Sequence, residues 1–228
     1  IISLVPSQTE LLADLGLDEE VAGITKFCIH PEKWFRSKTR IGGTKQLNLQ
    51  LIRQLEPDLI LANKEENTRE QIMELQTDYP VWVSDVRDIP SSCEMIRIIG
   101  ELTGKKEAAF TIIEKIQQSF NTLPVITKPL KAAYLVWREP YMIAGGDTFI
   151  NAMMEKAGFR NMFADKNRYP QISTDELVSA EIILLSSEPY PFKQKHAEEL
   201  QRLVPSVPIM LVDGEMFSWY GSRMQLAA

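Results

Sequence analysis

Three groups of side chains in this 228-residue chain have the chemistry to hold a ligand or an ion. The first is Cys28-Ile29-His30, a thiol and an imidazole two residues apart. Such a pair can share a metal ion or supply an axial ligand to iron. A closed zinc site needs four ligands. Only one other histidine, His196, is present, in a charge-rich helical stretch. The competing reading of Cys28 is a small buried apolar residue. The second group is aromatic: Trp137, Tyr141, Tyr169, Tyr190, Phe192, Phe217, Trp219 and Tyr220 fall in loops of the second half, several of them at expected strand ends. Rings placed there wall a pocket for a large flat ligand, or pack loops onto the core. The third group is cationic. Arg138 and Arg223 have forks that match carboxylates, and Lys26, Lys45 and Lys64 can act likewise as point charges. For both arginines a surface ion pair is the alternative. The adjacent acids Glu65-Glu66 read better as a solvated loop than as a hard-metal pair.

Enzymatic signatures are missing. The chain has no G-x-x-x-x-G-K-[ST] loop and no G-x-S-x-G elbow. The tetrapeptides GGTK at 42–45 and GGDT at 145–148 read as turns before helices. A chelatase-like enzyme would need His30 to meet an acid such as Glu65 or Glu188. The net charge of −6 leaves no basic face for a phosphate backbone, so no nucleic-acid partner is expected. The cations of 33–40 read as a solvated loop. No apolar run approaches the ~20 residues of a membrane span.

The elements that must position these groups alternate. Strands are expected at 1–5, 21–25, 58–62 and 80–84, the third almost wholly apolar, as suits a parallel sheet buried on both faces. Helices are expected at 47–55 and 68–75, and after Ser7-Gln8-Thr9-Glu10, which has capping-box spacing. The same spacing recurs at Ser91-Ser92-Cys93-Glu94 and Ser173-Thr174-Asp175-Glu176. Helices at 94–102 and 105–123 follow, the second long enough to brace two lobes. Strands then return at 132–136, 182–185 and 209–212, with helices at 148–156 and 197–203. LIRQLEPDLILANK at 51–64 is echoed by ELVSAEIILLSS at 176–187, so the two halves share a topology. The expected fold is α/β: two Rossmann-like lobes with parallel sheets joined by one long helix, with a ligand cleft between the lobes. The boundaries are 1–88 for the first lobe, 89–123 for the helical segment and 124–228 for the second lobe. Ligands of such sheets bind beyond the carboxyl ends of the strands.

SLVPSQTELLADLG and GGTKQLNLQLIRQLEPDLILANKEEN resemble the opening lobe of the type III, helical-backbone substrate-binding proteins of ABC transporters. AGGDTFINAMMEKAGFRNMF and DGEMFSWYGSR resemble the second lobe, and the likeness covers nearly the whole chain. The resemblance implies reversible capture, without catalysis, of a cobalamin, haem or ferric-siderophore ligand. It implies no cofactor of the protein's own, the ligand itself carrying iron or cobalt. It places contacts on Ser7, Gln8, Lys26, Phe27, Lys45, Asn63 and Lys64 in the first lobe. In the second it places them on Trp137, Arg138, Tyr141, Tyr169, Tyr190, Phe217, Trp219, Tyr220 and Arg223. Cobalamin-binding members carry tryptophans at about the positions of Thr44 and Asn63. Members that dock a permease carry an exposed glutamate on each lobe. Here Gln50 stands at the first such position and Ser218 near the second, with Glu215 close by. The expected partners are a small-molecule macrocycle or metal chelate and an ABC permease, the protein itself being a monomer. The alternatives are a metal-ion receptor using Cys28 and His30, or an intracellular enzyme handling tetrapyrrole or metal. Ile1 opens directly into a strand, so an upstream segment is expected. An export signal there would place the protein in the periplasm or at the cell surface, and its lack would place it in the cytoplasm.

Overall fold

The computed structural model describes residues 1–228. The chain divides into two compact units. The first comprises Ile1–Val86, Pro90–Ile116 and Tyr220–Gln225. The second comprises Arg87–Ile89, Gln117–Trp219 and Leu226–Ala228. Most of the helical segment expected at 89–123 therefore belongs to the first unit.

The first unit contains β1 (Ile2–Ser3), α1 (Pro6–Asp14), β2 (Gly23–Ile24), α2 (Glu32–Ser37), β3 (Thr39–Arg40), β4 (Gly42–Gly43), β5 (Gln46–Leu47), α3 (Leu49–Gln54), β6 (Ile60–Asn63), α4 (Arg69–Leu75), β7 (Val81–Ser84) and α5 (Ile89–Leu102). Next comes α6 (Lys106–Asn121), within which the chain passes to the second unit. Strands β3-β2-β1-β6-β7 form one sheet, every pair parallel. Its central residues Ile2, Ile60 and Leu61 are fully buried, which explains why β6 shows no polar alternation.

Two of the three capping boxes are not formed. Helix α1 starts earlier, on Pro6, which needs no partner for an N–H it lacks, and its N-cap is Val5 without a side-chain cap. Ser7 and Thr9 are buried instead, and Thr9 Oγ1 donates to the Val5 carbonyl at 2.9 Å. Helix α5 also begins before Ser92, whose hydroxyl accepts from Gly221 N–H at 3.0 Å. The third box forms as expected, on a 3₁₀ turn, Thr174–Ser179: the Glu176 carboxylate accepts the Ser173 N–H at 2.9 Å. Helix α2 and the β4–β5 hairpin lie where only a loop was expected. Six- and two-residue elements are too short to display a period.

The second unit continues with β8 (Leu130–Trp137), β9 (Met142–Ile143), α7 (Phe149–Lys156), β10 (Phe159–Asn161), β11 (Ile182–Ser186), α8 (Gln194–Leu203), β12 (Ile209–Val212) and α9 (Gly214–Ser218), before the terminal α10 (Met224–Ala227). Its sheet runs β10-β8-β11-β12, all parallel, with β9 antiparallel on β8. Residues of β8 and β11 alternate between two apolar layers. Ala133, Leu135, Ile183 and Leu185 face one, and Ala132, Tyr134, Ile182 and Leu184 the other. Thr148 caps α7, its Oγ1 accepting the Asn151 N–H at 3.2 Å. No helix is long and apolar enough to cross a membrane.

Two glycines before α7 permit a close backbone approach. Gly145 and Gly146 donate to the carbonyls of Arg168 and Lys166 at 2.7 and 2.8 Å. A Cβ on Gly146 would sit 2.0 Å from the Ala164 oxygen, a backbone atom that cannot swing aside. Gly146→Ala is expected to destabilise the second unit by about 1–3 kcal/mol or more, read as a lower urea midpoint.

Candidate functional site

All strands of the first sheet are parallel, so their carboxyl ends share one edge. The loops there split into a buried layer and an exposed one. The buried layer is a carboxamide network. Gln8 Nε2 donates to Ser84 Oγ at 2.6 Å, and Asn63 Nδ2 donates to the same oxygen at 3.0 Å. Asn63 Oδ1 accepts the N–H groups of Glu65 and Glu66, at 2.8 and 3.2 Å. Asn67 Nδ2 ties the loop to the carbonyls of Leu4 and Thr44. Ser7, Gln8 and Asn63 were expected to contact ligand, but all three are buried. For Gln8 and Asn63 the bonds above fix the shape of the rim.

The exposed layer holds Lys26, Phe27, Lys45 and Lys64. Phe27 is 51% exposed and lies under the Lys26 ammonium, 5.1 Å from Nζ to ring centroid. Lys45 donates to the Glu65 carbonyl, and Lys64 pairs with Asp85 at 2.8 Å. Beneath them Cys28 is fully buried, its sulfur 3.0 and 3.1 Å from the hydroxyls of Thr9 and Thr25. Burial pushes its thiol up, although both hydroxyls oppose the shift. This geometry suits a neutral thiol in the core, the packing alternative, better than a metal-binding thiolate. No group of three or more His, Cys, Asp or Glu side chains is gathered to hold a metal ion.

The carboxyl edge of the second sheet gathers most of the expected aromatics. Trp137 ends β8 and Arg138 follows it, and the loop after β11 returns over them through Tyr190 N–H donating to the Val136 carbonyl at 3.2 Å. Trp137 is 41% exposed and meets Tyr190 edge-on, centroids 5.6 Å apart. Arg138 bonds Glu199 at 2.7 Å and Glu139 at 3.1 Å, so the ion-pair alternative is realised for this arginine. Tyr141, Tyr169 and Phe217 are half-buried against the apolar layers, Phe217 5.2 Å from the Tyr134 ring.

Trp219 is buried, and its indole N–H donates to Glu188 Oε1 at 2.8 Å. Ser218 Oγ donates to the same oxygen. The network runs on inward: Tyr134 donates to Ser186 Oγ at 2.9 Å, and Ser186 donates to the Glu188 carbonyl at 2.6 Å. Burial pushes the Glu188 carboxyl up, with Glu215 and Asp213 adding to it, against the bonds from Ser218 and Trp219. A carboxyl raised in the folded state stabilises fully below its unfolded value of about 4.3, and that contribution is lost as pH rises through the folded value. Glu188→Gln removes the buried charge and keeps an acceptor. It is expected to raise the urea midpoint above pH 7 and to leave it unchanged at pH 4.

Tyr220 and Arg223 lie elsewhere, in a segment that belongs to the first unit. Arg223 grips Glu10 on α1 with two bonds, Nε to Oε2 at 2.8 Å and Nη2 to Oε1 at 2.6 Å, with both side chains largely buried. Met224 Sδ lies 3.0 Å from Ser92 Oγ. The ion-pair alternative is thus realised for this arginine too, in a buried form whose partner, Glu10, stands 213 positions away and could not be named from sequence. The only sequence signal, an arginine in a Gly-Ser-rich loop, fits a ligand anchor equally well.

The sequence profile of the family described as "Periplasmic binding protein" matches residues 1–205. A vitamin B12-binding protein of Yersinia pestis is 25% identical over 235 residues, spanning 100% of this chain and 83% of the relative. Among solved structures, a possible iron-binding, periplasmic solute-binding protein from Staphylococcus epidermidis superposes with a TM-score of 0.81 at 24% identity, covering 99% of this chain and 94% of that one. A periplasmic heme-binding protein of Vibrio cholerae gives 0.82 at 20% identity, covering 99% and 93%. These structures share its fold, two parallel α/β sheets, and the profile match spans most of its length: the chain belongs to the periplasmic binding protein family.

Proposed function

We propose that this chain is the capture component of an ABC-type uptake system, working in the periplasm or at the cell surface. Its ligand is a flat, carboxylate-bearing metal chelate of the haem class. One observation carries the reading: exposed aromatics stand at the carboxyl edges of both sheets, Phe27 beside the Lys26 ammonium on the first and Trp137 on the second. Flat apolar faces gain most from such rings, and anionic arms gain from ammonium groups at the rim. Three exposed lysines at the first sheet's edge, on a chain of net charge −6, favour an anionic ligand over a neutral one. The family and its relatives, named for vitamin B12, heme and iron, support the ligand class. Binding is reversible and leaves the ligand unchanged.

Tryptophan quenching tests this. Of the four tryptophans, Trp34 and Trp219 are buried and Trp82 is half-buried in β7, while Trp137 is the exposed one and serves as the reporter, assigned by the loss of its signal in Trp137→Phe. Haemin should quench saturably at micromolar or lower concentration, ahead of cyanocobalamin and bare ferric ion. Equal response to bare metal, or none to any chelate, would overturn the reading.

A further inference from the structure

The aromatic cluster beside Trp137 contains a histidine that the capture reading does not use. His196, in the first turn of α8, is buried, with its ring 5.4 Å from Tyr190 and 5.9 Å from Phe192, centroid to centroid. Its Nδ1 accepts the Lys193 backbone N–H at 3.0 Å. A nitrogen that accepts carries a lone pair, so the neutral ring holds its proton on Nε2. Nε2 lies 3.4 Å from the Tyr190 hydroxyl and donates to it. Tyr190 in turn stands edge-on to the exposed Trp137.

We propose that His196 is a positioning residue for ligand capture, which as the neutral Nε2–H tautomer holds Tyr190 and Trp137 in place and releases them when protonated. The proposal rests on the capture reading given above. A proton on Nδ1 would face the Lys193 N–H, donor against donor, and would undo the bond that starts α8. The surroundings resist that proton. Burial disfavours the imidazolium most, followed by Lys195 of α8 and Arg138 just after β8, with Lys193 adding to them. Glu199 of α8 opposes these, and the facing group from the loop after β11 is the uncharged Tyr190 phenol. His196 therefore titrates below the ordinary histidine range. The ordinary value, about 6.5, lies above the folded one, so in the folded protein the lock is present at and above that pH and is lost only as pH falls through the lower, folded value.

With only two histidines, imidazole NMR on the full-length chain can follow His196 directly, assigned by its loss in His196→Asn. The expected result at pH 7.5 is an Nε2–H signature, with a midpoint below about 6.5. The emission that disappears in Trp137→Phe should change with the same midpoint. Haemin affinity should fall several-fold as pH drops from 7.5 through the His196 midpoint that the NMR titration gives. In His196→Asn, whose side-chain oxygen can still accept the Lys193 N–H, both pH dependences should be flat. An Nδ1–H tautomer, a midpoint at or above 6.5 in the wild-type protein, or an unchanged pH response in His196→Asn overturns the proposal. Failure of haemin to bind at any pH, with the tautomer and the emission change as expected, supports the lock and overturns the ligand class instead.

Discussion

Arg223→Ala is expected to lower the unfolding free energy of the first unit by about 3–5 kcal/mol, the range for breaking a buried ion pair by removing one partner. Both side chains are largely shielded, and the contact is bidentate. Truncating the arginine leaves the Glu10 carboxylate in a poorly solvated place without its counter-charge. It also loosens residues 220–225 from α1, while Gly221 and Met224 still contact Ser92 of α5. Glu10→Ala in the same background should recover part of the loss, because no charge is then left stranded. Urea unfolding of the two single variants and the double variant measures this. An Arg223→Ala protein of wild-type stability that binds haemin weakly would make Arg223 a ligand anchor instead.

The second large effect is on affinity. Trp137→Ala is expected to weaken haemin binding by at least ~30-fold, about 2 kcal/mol, as for a central aromatic anchor. Trp137 is a large ring that the fold leaves exposed at a strand end, although Tyr190 sits beside it ready to pack. Stability should change little, because so much of the ring already faces water. Trp219→Ala should behave in the opposite way, since its ring is buried and its N–H is bound to Glu188. Measuring affinity and urea midpoint for both variants separates the two roles.

That contrast marks how far the sequence could be read. The sheets were legible because β6 and β11 are unbroken apolar runs and because the second half repeats the pattern of the first. The loops carrying the candidate site were legible for the same reason, since parallel strands put all their carboxyl ends on one edge. The role of each side chain within those loops was not legible. Trp137 and Trp219 are the same residue type in similar loops, yet one is exposed and the other is buried on a carboxylate. Their partners, Tyr190 and Glu188, come from a different loop, and no local period encodes that pairing. Asn63 and Gln8 look like polar ligand contacts in sequence but spend their amides on Ser84 and on backbone groups. Two capping boxes had the right spacing and the wrong frame. Pro6 started α1 ahead of Ser7, and α5 began at Ile89, ahead of Ser91.

The most direct test of the central claim is native mass spectrometry of the protein mixed with equal amounts of haemin, cyanocobalamin and a ferric catecholate. The account predicts one saturating complex with haemin, from which denaturation releases the ligand at its original mass. No adduct with any of the three, or a ligand returned with altered mass, would contradict it.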